Sequence, residues 1–255
     1  MHIKIIGKGK PVVLIHGWGM SGRIWEDLSE TMRINYKLFI IDLPGMGKSP
    51  LLKIYKINNV IKEIRKHIPS KVIMIGWSLG GQIAMKYALQ YPGSIKNLIC
   101  VSSTPSFICN SGWDFGMDKK IFLGFKKELK DNWKKTLKNF FLLQLIKNKE
   151  QKNILKRFEK HYINEKPGLK LGLEKSLNIL EDNDLRNDIK KIQIPTLIIT
   201  GKKDNICSYK ASIWLHSEIK DSKLFIFESE GHIPFINNKK KFFQIIHQFI
   251  KINES

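Results

Sequence analysis

Ser78 stands in the run Gly76-Trp77-Ser78-Leu79-Gly80, which is followed by Gly81. A G-x-S-x-G pattern arises by chance in roughly one chain in ten of this length, from Gly and Ser frequencies near ~7% each. Its setting makes it specific. The apolar run 71–75 (KVIMI) ends directly before it, and the helix-forming stretch Leu79 to Tyr91 begins directly after it. A tight turn between strand and helix exposes the serine hydroxyl and sets the first helical amides beneath it, where they favour developing negative charge. Small residues two before and two after the serine let strand and helix pass closely.

A serine hydroxyl is a weak nucleophile until a base takes its proton, and the base needs a carboxylate to orient it. Asp204 follows the run Ile194 to Thr200 through Gly201-Lys202-Lys203, and His232 follows Leu224 to Glu228 through Ser229-Glu230-Gly231. Both lie on loops after strands, in the chain order serine, acid, histidine that such a triad takes. His2, His67, His161, His216 and His247 fall in terminal or helical contexts and read as surface or packing residues. Asp42 also follows a strand, but it precedes the serine and suits a structural turn better. The loop His16-Gly17-Trp18-Gly19 sits where a second oxyanion donor belongs, so the backbone N–H groups of Trp18 and Leu79 form the expected pair. His16 reads as a brace for that loop. The chemistry is acyl transfer through an acyl-enzyme, and it needs no metal or organic cofactor. Two decoys fail. Gly47-Lys48-Ser49 lacks the glycine of a phosphate-binding loop, since Asp42 and Pro44 stand in the preceding run. Gly45-Met46-Gly47 lacks the third glycine of a dinucleotide fingerprint, because position 50 is Pro50.

The elements that must carry these loops are legible as alternating apolar runs and amphipathic stretches. Runs at 11–16, 36–42, 71–76, 97–102, 194–201 and 223–228 read as strands buried on both faces of a parallel sheet. Stretches at 25–33, 58–67, 79–91, 209–219 and 238–250 read as its helices. Between 109 and 187 no strand-like run occurs. Ile121, Phe122, Phe125, Leu129, Trp133, Leu137, Phe140, Phe141 and Leu145 recur there at helical steps, as one long helix or two consecutive ones. Lys126, Lys127, Lys130, Lys134 and Lys138 fall largely on the opposite face. The expectation is an α/β core of residues 1–108 and 188–255, with an all-helical insertion at 109–187.

The chain has 255 residues, 42% of them hydrophobic, which supplies a large core and argues against disorder. No run approaches the ~20 apolar residues of a membrane span. The start Met1-His2-Ile3-Lys4 lacks the features of a secretory signal. The three cysteines have no metal-like spacing, so a reducing, cytoplasmic setting is expected. Lys and Arg number 44 against 23 Asp and Glu, giving +21. An acidic partner is one reading of that charge. The abundance of Lys, Ile and Asn also fits drift in an AT-rich coding sequence, so the total alone identifies no partner. No nucleic-acid motif accompanies it.

In order along the chain, HGWG, DLPGMGKS, GWSLGG, GKKD and GHIPF resemble the α/β-hydrolase superfamily over essentially the whole chain. HGWGM, GWSLGG and the segment Phe140-Phe141-Leu142-Leu143-Gln144 resemble, more closely, the pimeloyl-[acyl-carrier protein] methyl ester esterases of biotin synthesis. The resemblance implies an α/β-hydrolase fold: a mostly parallel sheet flanked by helices, with the helical insertion as a lid. It implies substrate contacts at Trp18, at Ser78-Leu79, and at Phe140, Phe141, Leu142, Leu143 and Gln144. It further implies that basic lid residues grip an acidic acyl-carrier protein and its phosphopantetheine arm, at Lys135, Lys152 and Lys156, while Asn139 stands uncharged at another such position. Lysine there gives up the bidentate phosphate geometry of arginine. The implied enzyme is a monomer that binds neither nucleic acid nor membrane. Other readings of the triad are a broad short-chain carboxylesterase, a hydrolase of carbon–carbon or thioester bonds, or a non-catalytic ligand- or nucleic-acid-binding protein on the same scaffold. Dehalogenase and epoxide hydrolase readings are disfavoured, because those relatives carry Asp at the elbow.

Overall fold

The computed structural model describes residues 1–146, 149–163 and 168–253. Its strands are β1 (Ile3–Ile6), β2 (Lys10–Ile15), β3 (Tyr36–Ile41), β4 (Val72–Trp77), β5 (Ile95–Val101), β6 (Thr196–Gly201) and β7 (Ser222–Phe227). They form one sheet in the order β1-β3-β2-β4-β5-β6-β7. β1 pairs antiparallel with β3, and every other neighbour is parallel. All of β4 and β6 is buried, which is why their sequences are continuous apolar runs without alternation. Each fully buried Val, Leu or Ile in such a strand contributes about 1.5–3 kcal/mol. The edge strands β1 and β7 are only partly covered.

The helices are α1 (Glu26–Met32), α2 (Ile57–Arg65), α3 (Leu79–Gln90), α4 (Lys119–Gln144), α5 (Gln151–Phe158), α6 (Leu169–Asp182), α7 (Tyr209–Glu218), the single turn α8 (Pro234–Asn237) and α9 (Lys239–Ile252). α2 buries Val60, Ile61 and Ile64 and leaves Lys62 in water, as the spacing of apolar residues requires. α3 is buried over most of its length, so it carries Gly, Ala and other apolar residues where a surface helix would carry charge. Among the described residues, no helix is long and apolar enough to cross a membrane.

Between β5 and β6 the chain leaves the sheet. Its departure and return are tied together: Leu185 N–H donates to the Pro105 carbonyl at 2.9 Å, and Ser106 bridges Asp184. A short loop with bridges from Ile108 to Met117 and from Asn110 to Trp113 precedes the helices. α4 is interrupted at Asn132, whose φ of −146° and ψ of 74° are not helical, so it is two rods end to end. The Asn132 side chain accepts from Lys135 N–H and caps the second rod. Phe122, Leu129, Leu137, Phe140 and Phe141 are buried, as their spacing predicts, but Ile121 is 65% exposed. Lys126 also departs from expectation. It turns inward and binds Glu181 and Asn178 of α6, joining the two helices instead of facing water.

Candidate active site

Ser78 caps α3 with φ 55° and ψ −118°, a conformation that L residues rarely adopt. The surrounding glycines make that turn possible. A Cβ on Gly76 would stand 2.2 Å from the Gly80 carbonyl oxygen, and one on Gly80 would stand 2.3 Å from that of Ile15. The turn is braced through the Ser78 backbone: its N–H donates to Val101 at 2.9 Å, and its carbonyl accepts from the Ser103 hydroxyl at 2.8 Å. The Gly81 and Gln82 N–H groups also donate to that carbonyl. Leu79, as the first helical residue, has no preceding turn to take its own N–H.

His232 Nδ1 lies 2.8 Å from Asp204 Oδ2, and both side chains are buried. The other Asp204 oxygen accepts from the Ile206 and Cys207 N–H groups at 2.8 and 2.9 Å. Three donors around the carboxylate fix its direction. Since the carboxylate only accepts, the His232 proton sits on Nδ1, and Nε2 carries a lone pair. That Nε2 is buried and has no hydrogen-bond partner among the described residues, the Ser78 hydroxyl included. Such contacts are often long before substrate binds and tighten in the complex. The loops bearing acid and base interlock, with Lys203 N–H donating to the Glu230 carbonyl at 2.9 Å. The Glu230 carboxylate, itself buried, accepts from Asn237 and Asn238.

The 16–19 loop reaches the nucleophile. A Cβ on Gly17 would sit 3.2 Å from the Ser78 Cβ, so the backbone leading to the Trp18 amide runs alongside the serine. His16 is a brace: its Nε2 accepts from Leu43 N–H at 2.9 Å, and its Nδ1 lies 2.7 Å from the Gly17 carbonyl. Asp42 is structural too, accepting from Gly22 and Lys48 N–H and from His2. Burial holds the His16 imidazole below its usual 6.5, against smaller opposing effects of Asp42 and the Gly17 carbonyl. Below pH 6.5 the unfolded chain therefore takes up a proton that the folded chain refuses. The stability His16 confers is complete above that pH and declines as pH falls toward the lowered value. His16→Leu is expected to cost about 1–3 kcal/mol at pH 8, because Leu43 N–H loses its acceptor, and to flatten the acid side of the curve. Melting curves from pH 5 to 8 test this, and equal slopes in the two proteins would contradict it.

The insertion covers the site from above. The Trp18 indole donates to the Leu173 carbonyl of α6 at 3.0 Å and meets Phe140 and Phe125 edge-on at 4.9 and 5.3 Å. The segment 140–144 divides by helical geometry. Phe140 faces Trp18, and Phe141 packs on Phe158 and Tyr162 within the insertion; both rings reach the 16–19 loop, each 3.9 Å from where a Cβ on Gly19 would stand. Leu142 and Leu143 are 39% and 53% exposed. Gln144 is buried at 2%, with neither amide atom hydrogen-bonded among the described residues, and its backbone carbonyl lies against Gly231, beside His232. Ser78, Leu79, Asp204, His232, Trp18, Phe140 and Gln144 thus converge on one place.

The basic residues of the insertion divide as well. Lys135 and Lys156 line a cleft of about 470 Å³ between α4, α5 and the π-helical turn Glu159–Ile163. Lys152 stands outside its wall, one helical turn before Lys156, and Asn139 is exposed. Lys134, Lys138 and Lys160 also line the cleft, and Glu159 pairs with Lys138 at 2.8 Å. The sequence did hold a signal for these three, since lysines at four-residue steps share a helix face. Among the described residues, no cluster of three or more metal-ligating side chains occurs.

The profile of the α/β-hydrolase fold family matches residues 10–239, and the chain belongs to that family. An esterase from Exiguobacterium antarcticum superposes with a TM-score of 0.91 at 27% identity, covering 98% of this chain and 95% of that one. A pimeloyl-[acyl-carrier protein] methyl ester esterase of Wigglesworthia glossinidia brevipalpis is 37% identical over 252 residues, 97% of this chain and 96% of its own length. The enzyme of the same name from Nitrosomonas europaea is 31% identical over 242 residues, covering 95% and 96%. Within the α/β hydrolases, the chain falls in the family of these methyl ester esterases.

Proposed function

We propose that this protein hydrolyses pimeloyl-[acyl-carrier protein] methyl ester to pimeloyl-[acyl-carrier protein] and methanol, through a Ser78–His232–Asp204 triad. The observation that carries the reading is the buried His232–Asp204 bond, which leaves the lone pair of Nε2 unshared beside a serine on a strained turn. His232 Nε2 takes the Ser78 proton as Oγ attacks the ester carbonyl. Asp204 stabilises the imidazolium that forms. The Leu79 and Trp18 amides receive the oxyanion. The intermediate collapses, the methoxy group leaves with the His232 proton as methanol, and the acyl group remains on Oγ. Water then gives a proton to Nε2 and attacks the acyl-enzyme, releasing a carboxylate and restoring Ser78.

Residues 109–187 act as the lid. Phe140 walls the acyl chain, and the Gln144 amide, without a partner among the described residues, hydrogen-bonds the substrate inside. Leu142 and Leu143, being exposed, meet the chain at the entrance. The carrier docks through the lysine cleft, where, among the described residues, five lysines face one glutamate. Pairing Lys135→Glu with Lys156→Glu is expected to lower kcat/KM for the carrier-linked ester about tenfold at low salt, chiefly through slower encounter. A small free ester loses less than about twofold, because its encounter needs no charge. Parallel assays of both substrates from low to high salt test this. Equal losses for the two would remove the cleft from carrier recognition and favour a broad short-chain esterase.

A further inference from the structure

Trp77, the last residue of β4, is 1% exposed and touches both loops that complete the site. Its indole N–H donates to the backbone carbonyl of His232 at 2.9 Å. Its ring lies 5.4 Å from the His232 imidazole, centroid to centroid, at a tilt of 50°. On another side the six-membered ring presses on the 16–19 loop, so that a Cβ on Gly17 would stand 3.0 Å from Cε3. Phe235 closes the cluster edge-on at 5.4 Å.

We propose that Trp77 is the positioning residue of the catalytic base. Asp204 holds His232 at Nδ1 alone, and a single hydrogen bond leaves the imidazole free to pivot about it, carrying Nε2 away from the serine. The indole blocks that pivot from one side, while its N–H fixes the backbone from which the imidazole hangs. Because Trp77 is bonded directly to Ser78, nucleophile and base are registered to the same stretch of chain. The aromatic ring also lies within reach of the cation that His232 becomes during attack, and a desolvated cation near an aromatic face is stabilised. Both effects act on the chemical step and leave substrate binding unchanged.

The inference rests on the esterase reading, and its test separates the two. Wild type, Trp77→Phe, Trp77→Leu, Phe235→Leu and Ser78→Ala are assayed on p-nitrophenyl acetate, with melting temperatures recorded. Trp77→Phe keeps a ring and loses the N–H, and it lowers kcat about tenfold. Trp77→Leu loses both and lowers kcat about a hundredfold, the scale of a misplacement near 1 Å. KM stays within about twofold in each. Phe235→Leu disturbs the same cluster without touching the His232 bond, so it lowers the melting temperature and keeps kcat. Ser78-dependent turnover with wild-type kcat in both Trp77 variants overturns the inference alone. So does a fall in kcat that tracks melting temperature alike in the Trp77 and Phe235 variants. Turnover independent of Ser78 overturns the esterase reading and this inference together. Should Trp77→Leu fail to fold, Trp77→Phe decides the matter by itself.

Discussion

Ser78→Ala lowers ester turnover by at least about 10⁴-fold and leaves the fold intact, because the nucleophile contributes nothing to packing that alanine cannot supply. The Ser78 backbone is anchored by its own N–H and carbonyl, to Val101 and from Ser103, and neither bond involves the hydroxyl. Alanine keeps the Cβ and therefore keeps the turn. Its stability is expected to change by less than about 0.5 kcal/mol. Turnover and a urea melt on the same preparation check both halves. A variant with near wild-type turnover would remove Ser78 from the mechanism.

Asp204→Asn is expected to cost about 10⁴-fold in kcat, near 5.5 kcal/mol, with KM little changed. The reason lies in the hydrogen bonds around the acid. Oδ1 accepts from the Ile206 and Cys207 N–H groups, so the asparagine carbonyl must stay there and its NH₂ must face His232. Two donors cannot face one another. Nδ1 must then lose its proton, and the proton moves to Nε2, where it points at the serine that the base should deprotonate. The fold survives, since the loop bonds are kept. Steady-state kinetics on a small ester measures the effect, and a loss below about tenfold would show that His232 keeps its tautomer without the carboxylate.

The loops that carry Ser78, Asp204 and His232 were legible because each closes an apolar run, and such runs are dictated by burial on both faces of the sheet. The six strands β2 to β7 begin and end within two residues of the expected positions, as with β4 at Val72–Trp77 against 71–76. The brace at His16 and the structural role of Asp42 followed from their places before the serine. What the sequence hid is tertiary. Five consecutive residues at 140–144 resemble one substrate segment, yet a helix turns each by about 100° from the last: Phe140 and Phe141 reach the 16–19 loop, Gln144 lies against Gly231 through its backbone carbonyl, and Leu142 and Leu143 are exposed. Lys126 faces α6 because Glu181 and Asn178 lie within its reach, which no periodicity encodes. Trp77 fills a position that the G-x-S-x-G pattern leaves open, and its bond spans 155 residues to His232.

The function proposed for Ser78, His232 and Asp204 is cleavage of a carrier-borne methyl ester. Methanol release from pimeloyl-carrier-protein methyl ester, measured beside release from a small free methyl ester, with Ser78→Ala run in parallel, tests it most directly. The prediction is release that vanishes in Ser78→Ala and is faster, in kcat/KM, from the carrier-linked ester by about tenfold or more. Serine-dependent cleavage of both esters at equal kcat/KM would contradict it, leaving a general esterase whose lysines serve no carrier.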